Sequence, residues 1–182
     1  MRSGQTIIER QEIALKLAHP GQAEELFNLL ERERGTLEEF VPWVAETQSL
    51  PATQRFLRES DLFNQGGQKL ISLIYWQGLL AGSIGLLRIN RQHRSAEMGY
   101  WLGKEAEGRG IMSTAARLLV TYIFEHLPIH RLEIRIPSPN VRAQRIPHVL
   151  GFQHEGTLRQ GAFHHGQFLD IELYALIRTD WN

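Results

Sequence analysis

Cysteine is absent from this sequence, and its absence excludes several structures and chemistries at once. The chain forms no disulfide bond, uses no thiolate nucleophile and builds no metal site on cysteine ligands. An excess of either charge is also lacking, because 20 lysines and arginines balance 20 aspartates and glutamates. Since the chain has no block of basic residues, we expect no nucleic-acid partner.

Long apolar runs are missing too. The longest uncharged run extends from Leu70 up to Arg88, and its polar middle at Gln77 and Gly78 favours two short strands over a membrane span. The segment Met1–Arg10 mixes charges with two adjacent apolar residues, which is unlike a signal peptide. We therefore expect a cytoplasmic protein that does not associate with membranes.

The histidines show no pattern of metal ligands. His126, His130 and His148 are scattered over different predicted elements, and no cluster of carboxylates accompanies them. We therefore expect no metal ion in the site.

What is present is the composition of an ordinary globular chain. Of its 182 residues, 42% are apolar and 22% are charged, values typical of globular domains. That length suffices for one domain with a sizeable core. We expect residues 1–182 to form a single domain.

The first third of the chain predicts mainly helices. Ile7–Leu17 alternates in polarity and predicts a strand, whereas Gln22–Arg34 has apolar residues at helical spacing. Thr36–Thr47 is a shorter amphipathic segment. A further helix is expected from Pro51, which suits a first helical turn, to about Asn64.

The middle of the chain predicts strands followed by a long helix. Lys69–Gln77, Leu79–Ile89 and Ser95–Leu102 are rich in apolar residues and are joined by short polar connections, which favours an antiparallel meander. The loop Gly103–Gly110 contains glycines. The helix expected over Ile111–Leu127 has one broad apolar stripe.

The last third predicts strands around one short helix. His130–Ile136 alternates in polarity, and a short helix then ends at Leu150, with Gly151 as its left-handed stop. Phe152–Leu158 and Phe168–Ile177 predict two closing strands. The order of elements favours an α/β fold with a mixed sheet (α+β in character).

The strand–loop–helix segment from Gly99 to Thr114 predicts an anion site. A helix N-terminus has main-chain N–H groups without internal partners and a partial positive charge. Glycines such as Gly108 and Gly110 let the backbone approach a bulky anion, and Arg109 adds a positive charge. A pyrophosphate cradle is therefore the functional interpretation.

Other interpretations of this segment compete with the cradle. The glycines are also compatible with a tight loop that has no ligand. A Walker loop is excluded because no Gly-Lys-Ser/Thr ends the loop. A dinucleotide fingerprint is weak, because Ser113 occupies the place of its third glycine.

At these residues the chain resembles a known family. Ala96–Leu102 followed by Glu107–Met112 is similar to the acetyl-coenzyme A motif of the GNAT superfamily. The nearest likeness is to the RimL/RimJ branch, the ribosomal-protein N-terminal acetyltransferases. Asn140–Phe152 resembles the next segment of that branch. The resemblance implies the GNAT fold, a splayed central sheet flanked by helices, and acetyl-coenzyme A as cosubstrate.

The resemblance also implies roles for particular residues. The pantetheine arm would lie where two strands splay apart and would pair with the main chain of Tyr100, Trp101 and Leu102, and Asn140 would bind it or a nearby carbonyl. The pyrophosphate would be held by the loop and first helical turn, at Gly108, Arg109, Gly110, Ile111, Met112 and Ser113.

The sequence departs from the family pattern at several positions. Glu107 replaces the usual Gln or Arg, which places a negative charge near phosphates. The branch often has a serine near the coenzyme sulfur where this chain has Ala143, and a glutamate before an aromatic residue where it has Ala162. Neither group for proton transfer is therefore supplied from those places.

Proton chemistry has two candidates elsewhere. An amine is mostly protonated at neutral pH, so a base must take its proton before it attacks. Glu97 matches the strand-borne glutamate of GNAT histone acetyltransferases, although pairing with Arg88 or Arg94 explains it equally well. His165, in the predicted turn with His164, is the second candidate, and a surface hairpin tip is its alternative. The Leu102 amide is the candidate oxyanion donor.

The sequence therefore predicts an acetyl-coenzyme A-dependent N-acetyltransferase acting on a protein N-terminal amine or a small amine. An acetyl-coenzyme A-binding sensor or scaffold with weak or no catalysis is the alternative, motivated by Ala143 and Ala162. A nicotinamide-dependent enzyme is a distant third. The sequence does not give the oligomeric state, but dimers are common in the resembled branch, so a homodimer is one expectation.

Overall fold

Eight strands form one sheet in the part of the chain that the computed structural model describes, residues 4–181. They are β1 (Thr6–Arg10), β2 (Ile13–Leu17), β3 (Leu70–Trp76), β4 (Leu79–Asn90), β5 (Ser95–Leu102), β6 (Arg131–Pro137), β7 (Gln153–His164) and β8 (Gln167–Ile177). Their order across the sheet is β1-β2-β3-β4-β5-β6-β8-β7. Only β5 and β6 run parallel among the described neighbours. The predicted mixed sheet is confirmed.

The helices in residues 4–181 are α1 (Ala23–Leu37), α2 (Leu50–Gln65), α3 (Ile111–His126) and α4 (Arg145–Leu150). Short 3-10 helices lie at Pro20–Gln22, Pro42–Glu46, Lys104–Ala106 and Arg178–Asp180. The Ser49 side chain caps α2 by accepting a hydrogen bond from the Ala52 amide at 3.3 Å. Within the described range, every helix is too short or too polar to cross a membrane.

Two helical layers cover opposite faces of the sheet. Helix α3 packs on one face, and its core includes Leu86, Met98, Leu119 and Leu132. Helices α1 and α2 pack on the other face, with a core that includes Leu26, Leu30, Leu57 and Trp101. The core-facing residues of β6 alternate with Arg131, Glu133 and Arg135. These three charged side chains lie on the second face of the sheet. The second helical layer therefore stops before β6.

The predicted antiparallel meander is confirmed as β3-β4-β5, and the long helix as α3. The single strand predicted over Ile7–Leu17 is wrong, because the chain reverses at Gln11 and pairs Arg10 with Ile13. Gln11 adopts a φ of 55° in this turn. The reversal was missed because glutamine is not a typical turn residue.

The first closing strand is longer than predicted. It was expected to end at Leu158, but β7 continues to His164 across a register shift between Leu158 and Ala162. Gln160 has a φ of 51° at this shift, and its amide donates to the Asp170 carboxylate at 2.7 Å. A bulge interrupts the alternation of polarity by which a strand is recognised. The part of β7 that follows the bulge was therefore missed.

Candidate active site

The site begins where β5 and β6 separate. The two strands pair at only three positions, Ser95 with Arg131, Ala96 with Leu132 and Glu97 with Glu133. Beyond them β5 continues to Leu102, while β6 stays paired with β8 to its end. A wedge-shaped opening therefore begins after Glu97, and one edge of the β5 main chain faces into it. This confirms the expected splay of the sheet.

The wedge leads to the N-terminus of α3. Gly108 and Gly110 precede the helix with φ of 71° and 75°, and no atom lies within 4 Å of the place of a Cβ at either glycine. Glycine is therefore favoured at both positions by the backbone conformation and not by crowding. The first helical hydrogen bond runs from the Thr114 amide to the Gly110 carbonyl at 3.0 Å. The amides of residues 111–113 precede it and are available to an anion.

The side chains beside these amides hold the loop in place. Ile111 and Met112 are only 3% and 7% exposed, so their side chains anchor the first turn in the core. Arg109 donates through Nε to the Glu105 carbonyl at 3.1 Å, and its guanidinium lies 5.2 Å from the centre of the Trp76 ring. Arg109 thus turns toward Trp76, and its predicted contact with phosphate stays a prediction.

An ion pair crosses the open end of the wedge. The Glu107 carboxylate, in the loop before α3, binds the guanidinium of Arg142, in the loop before α4. Their side chains are 25% and 71% exposed. The family departure at Glu107 is therefore accompanied by a cation on the opposite side of the opening, which the sequence reasoning did not identify.

Two further contacts organise the β6 side of the wedge. Asn140 accepts a hydrogen bond through Oδ1 from the Ala143 amide at 3.1 Å. Helix α4 begins later, at Arg145, so Asn140 closes the turn before the helix and does not cap it. The Tyr100 hydroxyl donates to the Ala143 carbonyl at 2.9 Å. Burial, and in smaller part Tyr174, raises the pKa of Tyr100 well above its usual range, so this phenol stays a donor.

Glu97 lies at the closed end of the wedge, on the face opposite α3. Its Oε2 lies 3.6 Å from Arg88 Nη1 and 3.8 Å from Arg135 Nε, and its side chain is 18% exposed. One of the predicted ion-pair partners, Arg88, is therefore present, whereas Arg94 turns to the Pro128 carbonyl. Both ion contacts are longer than a direct hydrogen bond, so the carboxylate is held loosely. It remains accessible on that face.

The two histidines lie at the tip of the β7–β8 hairpin, as the alternative interpretation predicted. Nε2 of His164 and of His165 lie 2.8 Å and 3.0 Å from the same carbonyl oxygen, that of Glu38 after α1. The hairpin tip is thus fastened to the end of α1, above the face that carries Glu97. A catalytic role for His165 stays a prediction.

A carboxylate that sequence reasoning missed joins three elements on the α3 face. Glu172 accepts hydrogen bonds from Ser138 Oγ at 2.6 Å and Thr157 Oγ1 at 2.9 Å, and it lies 2.7 Å from His154 Nε2. These contacts, with Ser138 first, lower the pKa of Glu172. The only sequence signal was an acidic residue at an inward-facing strand position. Among residues 4–181, no three His, Asp or Glu side chains come close enough to hold a metal ion.

Known proteins resemble the chain over nearly its whole length. The family model for the acetyltransferase (GNAT) domain matches residues 13–153. The ribosomal N-acetyltransferase YdaF of Bacillus subtilis, as it is named, is 32% identical, and the match covers 94% of each chain. The ribosomal-protein-serine acetyltransferase of Escherichia coli is 26% identical over 95% of this chain and 97% of its own.

A solved structure shows the same architecture with a ligand. RimL, a ribosomal L7/L12 α-N-protein acetyltransferase in complex with coenzyme A, superposes with a TM-score of 0.92. It is 25% identical, and the match covers 95% of this chain and 98% of RimL.

Proposed function

The chain belongs to the GNAT acetyltransferase family and is an N-acetyltransferase that depends on acetyl-coenzyme A, and from this premise we propose that its acceptor is the N-terminal amine of a protein. The observation that carries the proposal is likeness over nearly the whole chain to an enzyme named for protein serine. The solved relative with coenzyme A is likewise named for a protein N-terminus. Both likenesses include the elements around the wedge.

In the proposed complex, acetyl-coenzyme A occupies the wedge. The free edge of β5 at Tyr100, Trp101 and Leu102 pairs with the pantetheine amides, because no strand pairs with that edge in the described chain. The amides before and within the first turn of α3 hold the pyrophosphate. Asn140 contributes by fixing the turn at Ala143, which lines the opposite side.

The acceptor reaches the thioester from the face that carries Glu97. There Glu97 takes a proton from the ammonium through bridging water, because Leu102 lies five positions further along β5. The neutral nitrogen then attacks the acetyl carbon. The Leu102 amide donates a hydrogen bond to the carbonyl oxygen as it becomes negative. The nitrogen then loses a second proton, the carbon–sulfur bond breaks and the amide product forms. That second proton ends on the sulfur of coenzyme A, and the proton taken by Glu97 passes to solvent. Because the chain has no cysteine, the acetyl group does not pass through a protein thiol.

The remaining expectations are proposals of the same kind. We propose that residues 1–182 form one domain, which the continuous sheet of residues 4–181 supports, and that the enzyme works in the cytoplasm, where ribosomal proteins are. The homodimer stays a prediction that a measurement of mass in solution tests. His165 is the reserve candidate for the base.

Calorimetry and a thiol assay test the proposal. The protein is titrated with acetyl-coenzyme A, and with NAD as the control ligand. Thiol release is then followed over peptides with free N-termini, the same peptides N-terminally blocked, and small amines such as spermidine. Every thiol detected comes from the coenzyme, since the protein contributes none.

We expect heat with acetyl-coenzyme A but not with NAD, and release with free peptides only. Heat without release over the whole panel would support the sensor or scaffold instead. Faster release with spermidine than with any peptide would overturn the proposed acceptor.

A further inference from the structure

Strand β4 carries a bulge at the closed end of the wedge. Leu86 pairs with Met98 and Arg88 pairs with Glu97, so Leu87 lies between two consecutive pairs without a partner of its own. A bulge of this kind places one extra residue in a strand and turns its side chain away from the regular alternation. The bulged residue here is a leucine next to the candidate base.

The Leu87 side chain lies over Gly99 of β5. A Cβ added at Gly99 would come within 2.5 Å of Leu87 Cδ1 and 3.1 Å of its Cγ. Gly99 of β5 pairs with Gly85 of β4, so neither member of this residue pair has a side chain. The isobutyl group of Leu87 therefore forms the surface of the sheet there.

Helices α1 and α2 do not cover this leucine. Leu87 is 41% exposed, whereas Trp101, two residues beyond Gly99 on the same face, is only 8% exposed. On the other side of Gly99 lies Glu97. Since alternate strand residues are about 7 Å apart, one face of β5 presents a carboxylate, an exposed leucine and a buried indole in a row.

We propose that Leu87 determines the size of the first side chain in the acceptor. The inference rests on the proposed function, because it takes the acceptor to bind on this face with its amine at Glu97. The α-carbon of an N-terminal residue is one bond from the reacting nitrogen. Its side chain therefore meets the surface next to Glu97, which is Leu87. The isobutyl group leaves room for serine or alanine and excludes branched and aromatic side chains.

A leucine with a purely structural role would behave differently. Covering Gly99 alone would make Leu87 matter for stability, and its loss would slow all acceptors equally. A size filter predicts instead that the ratio of kcat/KM between large and small first residues changes while coenzyme affinity does not. One missing or added methylene group in a pocket changes such ratios by about 10- to 200-fold.

The experiment compares Leu87→Ala with the wild type on peptides that differ only in their first residue: Ser, Ala, Val, Leu or Phe. We expect the kcat/KM ratio of Leu-first to Ser-first peptides to rise about 10-fold or more in the variant. Leu87→Phe should lower even the Ser-first rate. The control is Leu79→Ala, because Leu79 is also exposed (74%) but lies at the other end of β4.

An unchanged ratio in Leu87→Ala, with coenzyme binding intact, would overturn the inference and leave the proposed function standing. Equal changes in the Leu79 control would overturn it as well. If the alanine variant does not fold, Leu87→Val carries the same test with a smaller expected rise. Absence of release from every peptide in the wild type would instead refute the proposed function.

Discussion

Among single residues, Glu97 decides whether the chemistry proposed for the wedge is right. Its carboxylate is accessible and held only by contacts of 3.6 Å and 3.8 Å to Arg88 and Arg135. Glu97→Gln keeps the shape of the side chain and removes its ability to take a proton. We expect kcat to fall by about 100-fold or more while the Kd for coenzyme A stays the same. Steady-state kinetics and calorimetry measure the two quantities.

The matched control is Glu133→Gln. Glu133 of β6 pairs with Glu97 at the last position before the two strands separate, and it also contacts Arg135. Loss of the ion-pair network alone would slow both variants alike. A normal rate in Glu97→Gln would transfer the role of base to His165, which His165→Asn would then test.

Glu107 has the opposite expected effect. Its carboxylate lies in the loop that we propose holds the pyrophosphate, and Arg142 neutralises it across the opening. In Glu107→Gln the like-charge repulsion is gone and Arg142 is released to the phosphates. We expect the Kd for coenzyme A to fall several-fold, which corresponds to about 1 kcal/mol or less, because the Arg142 side chain is 71% exposed and solvent screens its charge. Titration calorimetry at low and high salt measures it.

Glu105→Gln is the control for this change, since Glu105 is an exposed neighbour on the preceding 3-10 helix. Weaker coenzyme binding in Glu107→Gln would mean that the ion pair is needed to shape the loop. The prediction would then fail.

Glu172 holds several elements together, because its carboxylate joins β7, β8 and the loop after β6. Its pKa is lower in the folded chain than its usual value of 4.5, chiefly through the Ser138 hydroxyl. The stabilisation is therefore present above about pH 4.5 and is lost as the pH falls through the lower folded pKa. We expect Glu172→Gln to cost about 1–3 kcal/mol at neutral pH.

The difference from the wild type should shrink as the pH falls below about 4.5. Urea unfolding at several pH values measures it, with Glu125→Gln as control because that carboxylate is 64% exposed on α3. A difference independent of pH would show that packing and not charge is responsible.

Some elements of the fold are predictable from the sequence and others are not. The meander and α3 are predictable because apolar spacing distinguishes strand from helix, and Gly110 and Gly151 mark left-handed positions at helix ends. The bulge at Leu87 and the hairpin turn at Gln11 are not, since neither residue type has a preference for those conformations. Bulges depend on pairing between strands, which a single strand's pattern does not contain.

The same limit applies to the candidate site. The cradle is predictable because main-chain amides before a helix act whatever side chains they carry. Glu107 with Arg142, or Tyr100 with Ala143, are contacts between residues 35 and 43 positions apart. Local spacing does not report such contacts, so the ion pair across the opening and the surface at Leu87 could be found only in the folded chain.

For the whole molecule, coenzyme binding should raise thermal stability. A ligand in the proposed site contacts both β5 and the loop after β6, and β5 itself pairs with β6 at only three positions. Coenzyme A at 100 times its Kd adds about 2.7 kcal/mol. For a chain of this size that is roughly a 5–10 °C rise in Tm, which scanning calorimetry measures.

Pantetheine alone and adenosine 3′,5′-bisphosphate alone, each at the same concentration as coenzyme A, serve as controls, because each reaches only part of the wedge. Equal shifts from the adenosine compound and from coenzyme A would show that the wedge itself adds nothing.

The short pairing between β5 and β6 also has a mechanical meaning. Bending the sheet between these strands strains three residue pairs, fewer than the register joins at any other described strand boundary. We therefore expect the sheet to bend more readily at this boundary than elsewhere. Such bending would widen and narrow the proposed reaction cleft, and a ligand bound between the two strands would resist it.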